Sequence, residues 1–219
     1  MANHLNIKRI YAIEPPLEAI SSMVEDDYLK IEWGGIFNNN WAGEYPYAPS
    51  AKFWAVHNDA TLFLKFQVKE DDIKAEVDKD GGEVWKDSCV EFFISFDDTG
   101  YYNFEFSCIG KKLLGFRQSR DLATHAPTEI LDKIKSLSTL PNECFAERLG
   151  DVEWELTVAI PKEAFFAHNF NTLEGLFVMA NVYKCGDGLS KPHYLSWSPI
   201  KTDKPNFHQP QYFGRMRFM

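Results

Sequence analysis

The chain has 219 residues, with 23 Lys+Arg against 32 Asp+Glu and a formal net charge of -9. That sign repels phosphate backbones and anionic headgroups, so nucleic acid and membrane surfaces are disfavoured as partners while neutral ligands and cations stay open. No run approaches the roughly 20 apolar residues needed to span a bilayer, and the chain is long enough to bury a core without staples.

The start, Met1-Ala2-Asn3-His4-Leu5, has no basic segment followed by an apolar one. A cytoplasmic location is therefore expected, or a secreted one if a leader has been removed. Cys89, Cys108, Cys144 and Cys185 are widely spaced without a CxxC pair, which fits free thiols better than a disulfide framework or a zinc site. The 18 Phe, 9 Tyr and 6 Trp favour strands, and Trp and Tyr also favour binding faces.

Taken in chain order, Lys52 to Val56 leads through His57-Asn58-Asp59-Ala60, a hairpin-like turn, into Thr61 to Val68. There Leu62, Leu64, Phe66 and Val68 alternate with mostly polar residues, the period of a half-buried strand. The acidic stretch Lys69 to Glu83 reads as a loop. Ser88 to Phe96 and Tyr101 to Cys108 are strands joined by Asp97-Asp98-Thr99-Gly100. Between Gly110 and Pro141 no period is firm, and Thr128 to Leu137 suits a short helix or a strand. Strands follow at Val152 to Val158, Gly175 to Tyr183 and Phe213 to Phe218, with a helical turn after Pro161 and a long loop from Gly186 to Tyr212. Short alternating strands and long loops predict an all-β, two-layer sandwich with one or two short helices, as a single domain over 1–219. Residues 1–50, with Trp33, Trp41 and Tyr45-Pro46-Tyr47, are expected to form an N-terminal extension packed on it.

Catalytic motifs are absent from the sequence. The histidines show no HExxH or other metal-ligand spacing, and no GxSxG, GxxxxGK[ST] or GxGxxG appears. The enzymatic candidate is the carboxylate pair Glu91 and Glu105, placed by alternation on one face of adjacent strands, an arrangement that can set two carboxyl groups at glycosidase distance. The plainer reading makes them polar residues of a solvated or ligand-facing sheet surface. Trp85 closes a polar loop just before the Glu91 strand, while Phe207 and His208 lie in a second long loop. Flat rings suit sugars because axial C–H groups pack on them. The hydroxyls want charge-assisted partners, which Glu91, Asn103, Glu105 and Asn181 can supply.

Val84-Trp85-Lys86-Asp87-Ser88-Cys89-Val90-Glu91-Phe92-Phe93-Ile94 resembles the W-x-x-D-S-V-E-I-F-I block of family 9 carbohydrate-binding modules. Ser196-Trp197-Ser198 with Phe207 to Arg217 resembles that family's S-W-S and W-x-x-P-x-x-F-G-x-L-R. The resemblance runs from about Ala51 to the C-terminus. It implies an immunoglobulin-like or jelly-roll β-sandwich that binds the reducing end of a short sugar chain between two aromatic walls, often with structural calcium. One wall falls on Trp85 and the other on Phe207, where sugar-binding members tend to have Trp; Glu91 matches a glutamate that bonds sugar hydroxyls. The family's arginine aligns with Glu105, and its ligand-contacting asparagine aligns near Lys204, with Asn206 close by.

The expected function is thus non-catalytic binding of a mono- or oligosaccharide. Trp85 and Phe207 would stack, Glu91 would fix hydroxyls, and Glu105, Asn103, Asn181, Lys184, Trp197 and His208 would assist. No catalytic residue and no cofactor is assigned. Asp71, Asp72, Asp78, Asp80, Asp97 and Asp98 read as solvated loop acids, with structural calcium as the alternative. The rival readings are a glycoside-processing enzyme using Glu91 and Glu105, and a sandwich binding haem or another ligand through Met179, Met216 and His193.

Overall fold

A computed structural model describes residues 3–23 and 30–219. Met1 and Ala2 of the segment read for a leader, and residues 24–29 of the N-terminal extension, lie outside the described residues. The first strands are β1 (His4–Arg9), β2 (Gly34–Gly35), β3 (Asn38–Asn39), β4 (Ser50–His57), β5 (Thr61–Ala75), β6 (Cys89–Ser95) and β7 (Tyr101–Ser107). Then come β8 (Lys112–Arg117), β9 (Ala123–His125), β10 (Lys135–Ser138), β11 (Phe145–Pro161), β12 (Phe177–Cys185), β13 (Tyr194–Ser196) and β14 (Gly214–Phe218). Two short helices, α1 (Leu17–Ser21) and α2 (Thr128–Leu131), sit among them.

The strands make a β-sandwich. One layer runs β10-β11-β5-β4-β1, and the other runs β1-β14-β12-β6-β7-β8-β9. β1 joins the two, its first residues parallel to β14 and its last parallel to β4. Alternation decides which side chains meet. Leu62, Leu64, Phe66 and Val68 of β5 share one core cluster with Val90, Phe92, Ile94, Phe104 and Phe106 of the facing layer. Burying each such side chain is worth roughly 1.5–3 kcal/mol.

Three departures from the sequence reading have physical causes. β5 does not end at Val68 but runs on to Ala75 against β11, so the acidic stretch is strand over its first seven residues. Its inward alternation continues through Glu70 and Asp72, both buried. Glu70 is paired by Trp154 Nε1 and Lys184 Nζ, each at 2.7 Å, and Asp72 lies 3.4 Å from Lys191 Nζ. Thr128 to Leu137 is neither one helix nor one strand, since α2 gives way to β10. Finally, β6 and β7 are buried on both faces. A second cluster of Trp41, Ile200, Phe207 and Phe213 covers Cys89, Phe93, Tyr101 and Tyr183 on the outer face.

The sequence blocks that carried the family resemblance have structural work of their own. The Asp87 carboxylate, buried, accepts from the backbone N–H of Glu76 and Val77 at 3.0 and 2.9 Å, anchoring the loop ahead of β6. A Cβ on Gly214 would stand 2.6 Å from the Trp197 ring and 2.9 Å from the Asn3 carbonyl oxygen. Gly214→Ala is therefore expected to destabilise by about 1–3 kcal/mol through overpacking, measured by urea unfolding. An unchanged midpoint would mean that the indole can retreat.

Candidate functional site

The floor of the site is the outer face of β6, β7 and β12. Glu91 stands opposite Glu105 on one side and opposite Tyr183 on the other, and directly paired residues in a sheet share a face. Both carboxyl groups are buried, Glu91 3% and Glu105 4% exposed. Above them the chain leaves a cavity of about 280 Å³, near the lower end of the roughly 300–1,000 Å³ usual for small-molecule sites.

Two loops make the walls. Trp85 belongs to a helical turn, Val84–Lys86, held down by Asp187 N–H on the Trp85 carbonyl (3.0 Å) and Gly188 N–H on the Lys86 carbonyl (3.1 Å). Phe207, which also lines the cavity, stacks on Tyr183 with centroids 4.1 Å apart and planes 8° from parallel. The Tyr183 hydroxyl donates to the Phe207 carbonyl at 3.1 Å. Trp41 packs 6.2 Å from Phe207, so the N-terminal segment buttresses this wall. One face of the Phe207 ring is thus spent on Tyr183 and 8% of the residue is exposed, whereas Trp85 is half-buried. His208 and Tyr194 add to the lining. The Tyr101 hydroxyl and His208 Nδ1 are 3.0 Å apart, and burial pushes the imidazole down to about 3, so it is neutral.

Charge is arranged unevenly. Burial raises Glu91 well above the usual carboxylate range, with help from Cys185 and Glu105. Burial likewise lifts Glu105 to about 7, against the lowering effects of Asn103 and Arg117. The Asn103 amide donates to Glu105 Oε1 at 2.8 Å, and Arg117 Nε donates to Asn103 Oδ1 at 2.9 Å. Gly115 is what leaves room for this relay: a Cβ there would lie 2.9 Å from Asn103 Oδ1. Arg120, Asp121 and Asp187 stand exposed at the rim.

Trp85, Glu91, Glu105, Phe207 and His208 thus meet around one cavity. The other four residues expected at the site do not line it. Asn103 lies beneath it as the relay just described. Asn181 is buried, donating to the Ser198 carbonyl at 3.0 Å and accepting from the N–H of Val182 and Ser198. Trp197 is core, edge-on to Phe53 at 5.9 Å. Lys184 points to the opposite face of β12, because alternation separates it from Tyr183 and Cys185. Its Nζ meets Glu70 at 2.7 Å and His193 Nε2 at 2.8 Å. Four lining residues went unread in the sequence: Arg117, Arg120, Asp121 and Tyr194. Arg117 falls in step with Leu113 on β8, where the sequence shows no firm period, and Asp187 lies just past the end of β12.

Four of the six acids weighed for calcium are engaged elsewhere. Asp71 and Asp72 are turned to Lys191, Asp80 to Lys112, and Asp97 to Thr99 and His168. Among the described residues, the three ligand groups that converge within 4.8 Å are Cys89, Glu91 and Cys185, two thiols and one oxygen, the wrong donors for a hard cation. Burial keeps both thiols protonated, lifting Cys89 to about 12 and Cys185 well above the usual thiol value. The haem reading fails on geometry. Met179 is exposed, Met216 is buried on the other face of the sheet, and His193 is engaged by Lys184. No helix among the described residues is long and apolar enough to cross a membrane.

Several solved structures share this architecture. A Bacteroides uniformis protein, described as a candidate carbohydrate-binding protein, is 39% identical over 100% of both chains with a TM-score of 0.94. A family 9 carbohydrate-binding module from Caldicellulosiruptor kristjanssonii in complex with glucose aligns at 12% identity and TM-score 0.59, over 99% of this chain and 96% of that one. A family 9 module from the same organism in complex with cellotriose aligns at 15% and 0.55, over 99% and 93%. At those identities the two modules speak for the fold alone. None of the curated proteins matches. The model of carbohydrate-binding family 9 matches residues 21–218, nearly the whole chain, and the protein belongs to that family.

Proposed function

We propose that this chain binds a sugar in the cavity over Glu91 and Glu105 and does not cleave it. Trp85 offers the broad apolar face for a pyranose ring, with the free side of Phe207 as the narrower opposing contact. Glu91 accepts from ring hydroxyls, and His208 and the rim residues contribute further hydrogen bonds. The observation that carries the reading is that Trp85 and Phe207, from loops far apart in sequence, line one small cavity with two buried carboxyl groups at its base. Glucose and cellotriose, held by the Caldicellulosiruptor modules, are the first ligands to test.

Titration with glucose, xylose and their disaccharides, followed by heat and by Trp fluorescence, is expected to saturate. Trp85→Ala should weaken binding at least about tenfold, as removal of a central aromatic anchor does. Absence of saturable binding across a broad glycan panel would defeat the proposal; release of free sugar that Glu91→Gln abolishes would replace it with an enzyme.

A further inference from the structure

The floor of the cavity holds an acceptor without a donor. Glu105 Oε1 receives the Asn103 amide, but Glu105 Oε2, fully buried, has no hydrogen-bond partner among the described residues. Leaving a buried carboxylate oxygen bare costs more than leaving a neutral group bare, so a native orphan of this kind points to a missing partner. In its ionised form this oxygen only accepts, and the cavity that Glu105 lines is where a donor for it can enter.

The surroundings indicate the sign of that donor. Glu91 beside it accepts the Cys185 thiol on Oε1 at 3.1 Å. Asp187 and Asp121 add negative charge at the rim. Among the described residues none of these four acids forms an ion pair. The field of Arg117 reaches Glu105, yet its Nε is spent on Asn103 and a terminal nitrogen on the Arg120 carbonyl; Arg120 is at the exposed rim. A ligand hydroxyl satisfies the hydrogen bond but not the charge. An ammonium group satisfies both, and the aromatic walls suit a cation as well as a sugar ring.

We infer that the site takes an amino sugar, a pyranose with a free ammonium group seated on Glu105 Oε2 beside Glu91. This rests on the sugar-binding reading above and narrows it. Glu105, lifted by burial to about 7, is poised to give up its proton when such a cation arrives. Facing groups do not compete for that proton: the Cys89 and Cys185 thiols stay protonated and His208 stays neutral. The remaining titratable and charged groups that line the cavity, Glu91, Asp187, Asp121, Arg117 and Arg120, enter the titration through the field they exert.

The test is calorimetric titration of the intact protein with glucosamine, glucose and N-acetylglucosamine at fixed ionic strength. Glucosamine is expected to bind about tenfold or more tighter than glucose. N-acetylglucosamine, similar in outline but neutral, should gain nothing. The glucosamine advantage should widen from about pH 5 to about pH 7 as Glu105 ionises, and Glu105→Gln should erase the difference between the two sugars. Should that variant fail to fold, the wild-type comparison and its pH dependence decide. Equal affinities, or tighter glucose, would overturn the inference while leaving sugar binding intact; silence from all three sugars would remove both.

Discussion

Glu70→Ala is expected to destabilise the protein by about 3–5 kcal/mol, a large share of the roughly 5–15 kcal/mol that holds a domain of this kind together. Glu70 is 1% exposed and Lys184 0%. The carboxylate takes Trp154 Nε1 on Oε1 and sits 2.7 Å from Lys184 Nζ through Oε2. Removing it strands an ammonium group in the interior, with one indole N–H left bare. The other neighbours of Lys184 Nζ are the Cys185 carbonyl at 2.9 Å and His193 Nε2 at 2.8 Å, neither of which carries a negative charge. Lysine has no acceptor, so Nε2 must accept, and Nδ1 carries the proton that it donates to the Lys191 carbonyl at 3.0 Å. Denaturant unfolding of the single variant and of Glu70→Ala with Lys184→Met separates a lost contact from a stranded charge. The double variant should recover much of the loss. If the single variant costs under about 1 kcal/mol, water or a backbone shift must be solvating Lys184.

Glu105→Gln should change the pH dependence of stability in a defined direction. The folded state holds the Glu105 proton up to about 7, against the ordinary 4.5. Between those values the folded chain binds more protons than the unfolded one, so stability falls as pH rises through that window. The full displacement corresponds to about 3–4 kcal/mol. Three histidines, the buried His57 and His193 and the half-buried His208, are pushed down by desolvation and act with the opposite sign, losing stability as pH falls below 6.5. Those contributions are common to wild type and variant and cancel in the difference. The variant is thus expected to gain about 2–3 kcal/mol on wild type between about pH 5 and about pH 8, read by urea unfolding at each pH. Parallel profiles would mean that Glu105 is already solvated. A carboxyl group that costs stability at neutral pH is the kind of trade made at ligand sites.

The strands with clean alternation were legible before any coordinates. Leu62, Leu64, Phe66 and Val68 face inward as their spacing required, and the sandwich architecture follows from several such runs separated by turn residues. β1 was not legible. His4–Arg9 carries only Leu5 and Ile7 as inward apolar residues, and a strand held parallel to two others needs no turn signal next to it. The extension of β5 through Glu70 and Asp72 was hidden for a different reason. Acids on an inward face look like loop until the cations that neutralise them, Lys184 and Lys191, are brought from more than a hundred residues away.

Period two was enough to put Glu91 and Glu105 on a common face, because a pleated strand admits only two sides. It could not say what covers that face, nor that Lys184 belongs to the other one together with Glu70. Those outcomes depend on how the loops around Trp85 and Phe207 fold back over β6, β7 and β12, with Tyr183 and Trp41 beneath and behind the Phe207 ring. Local periodicity is a property of consecutive residues and is written in the chain. A cavity is a property of loops packed at long range, whose closure is decided by contacts that have no local signature.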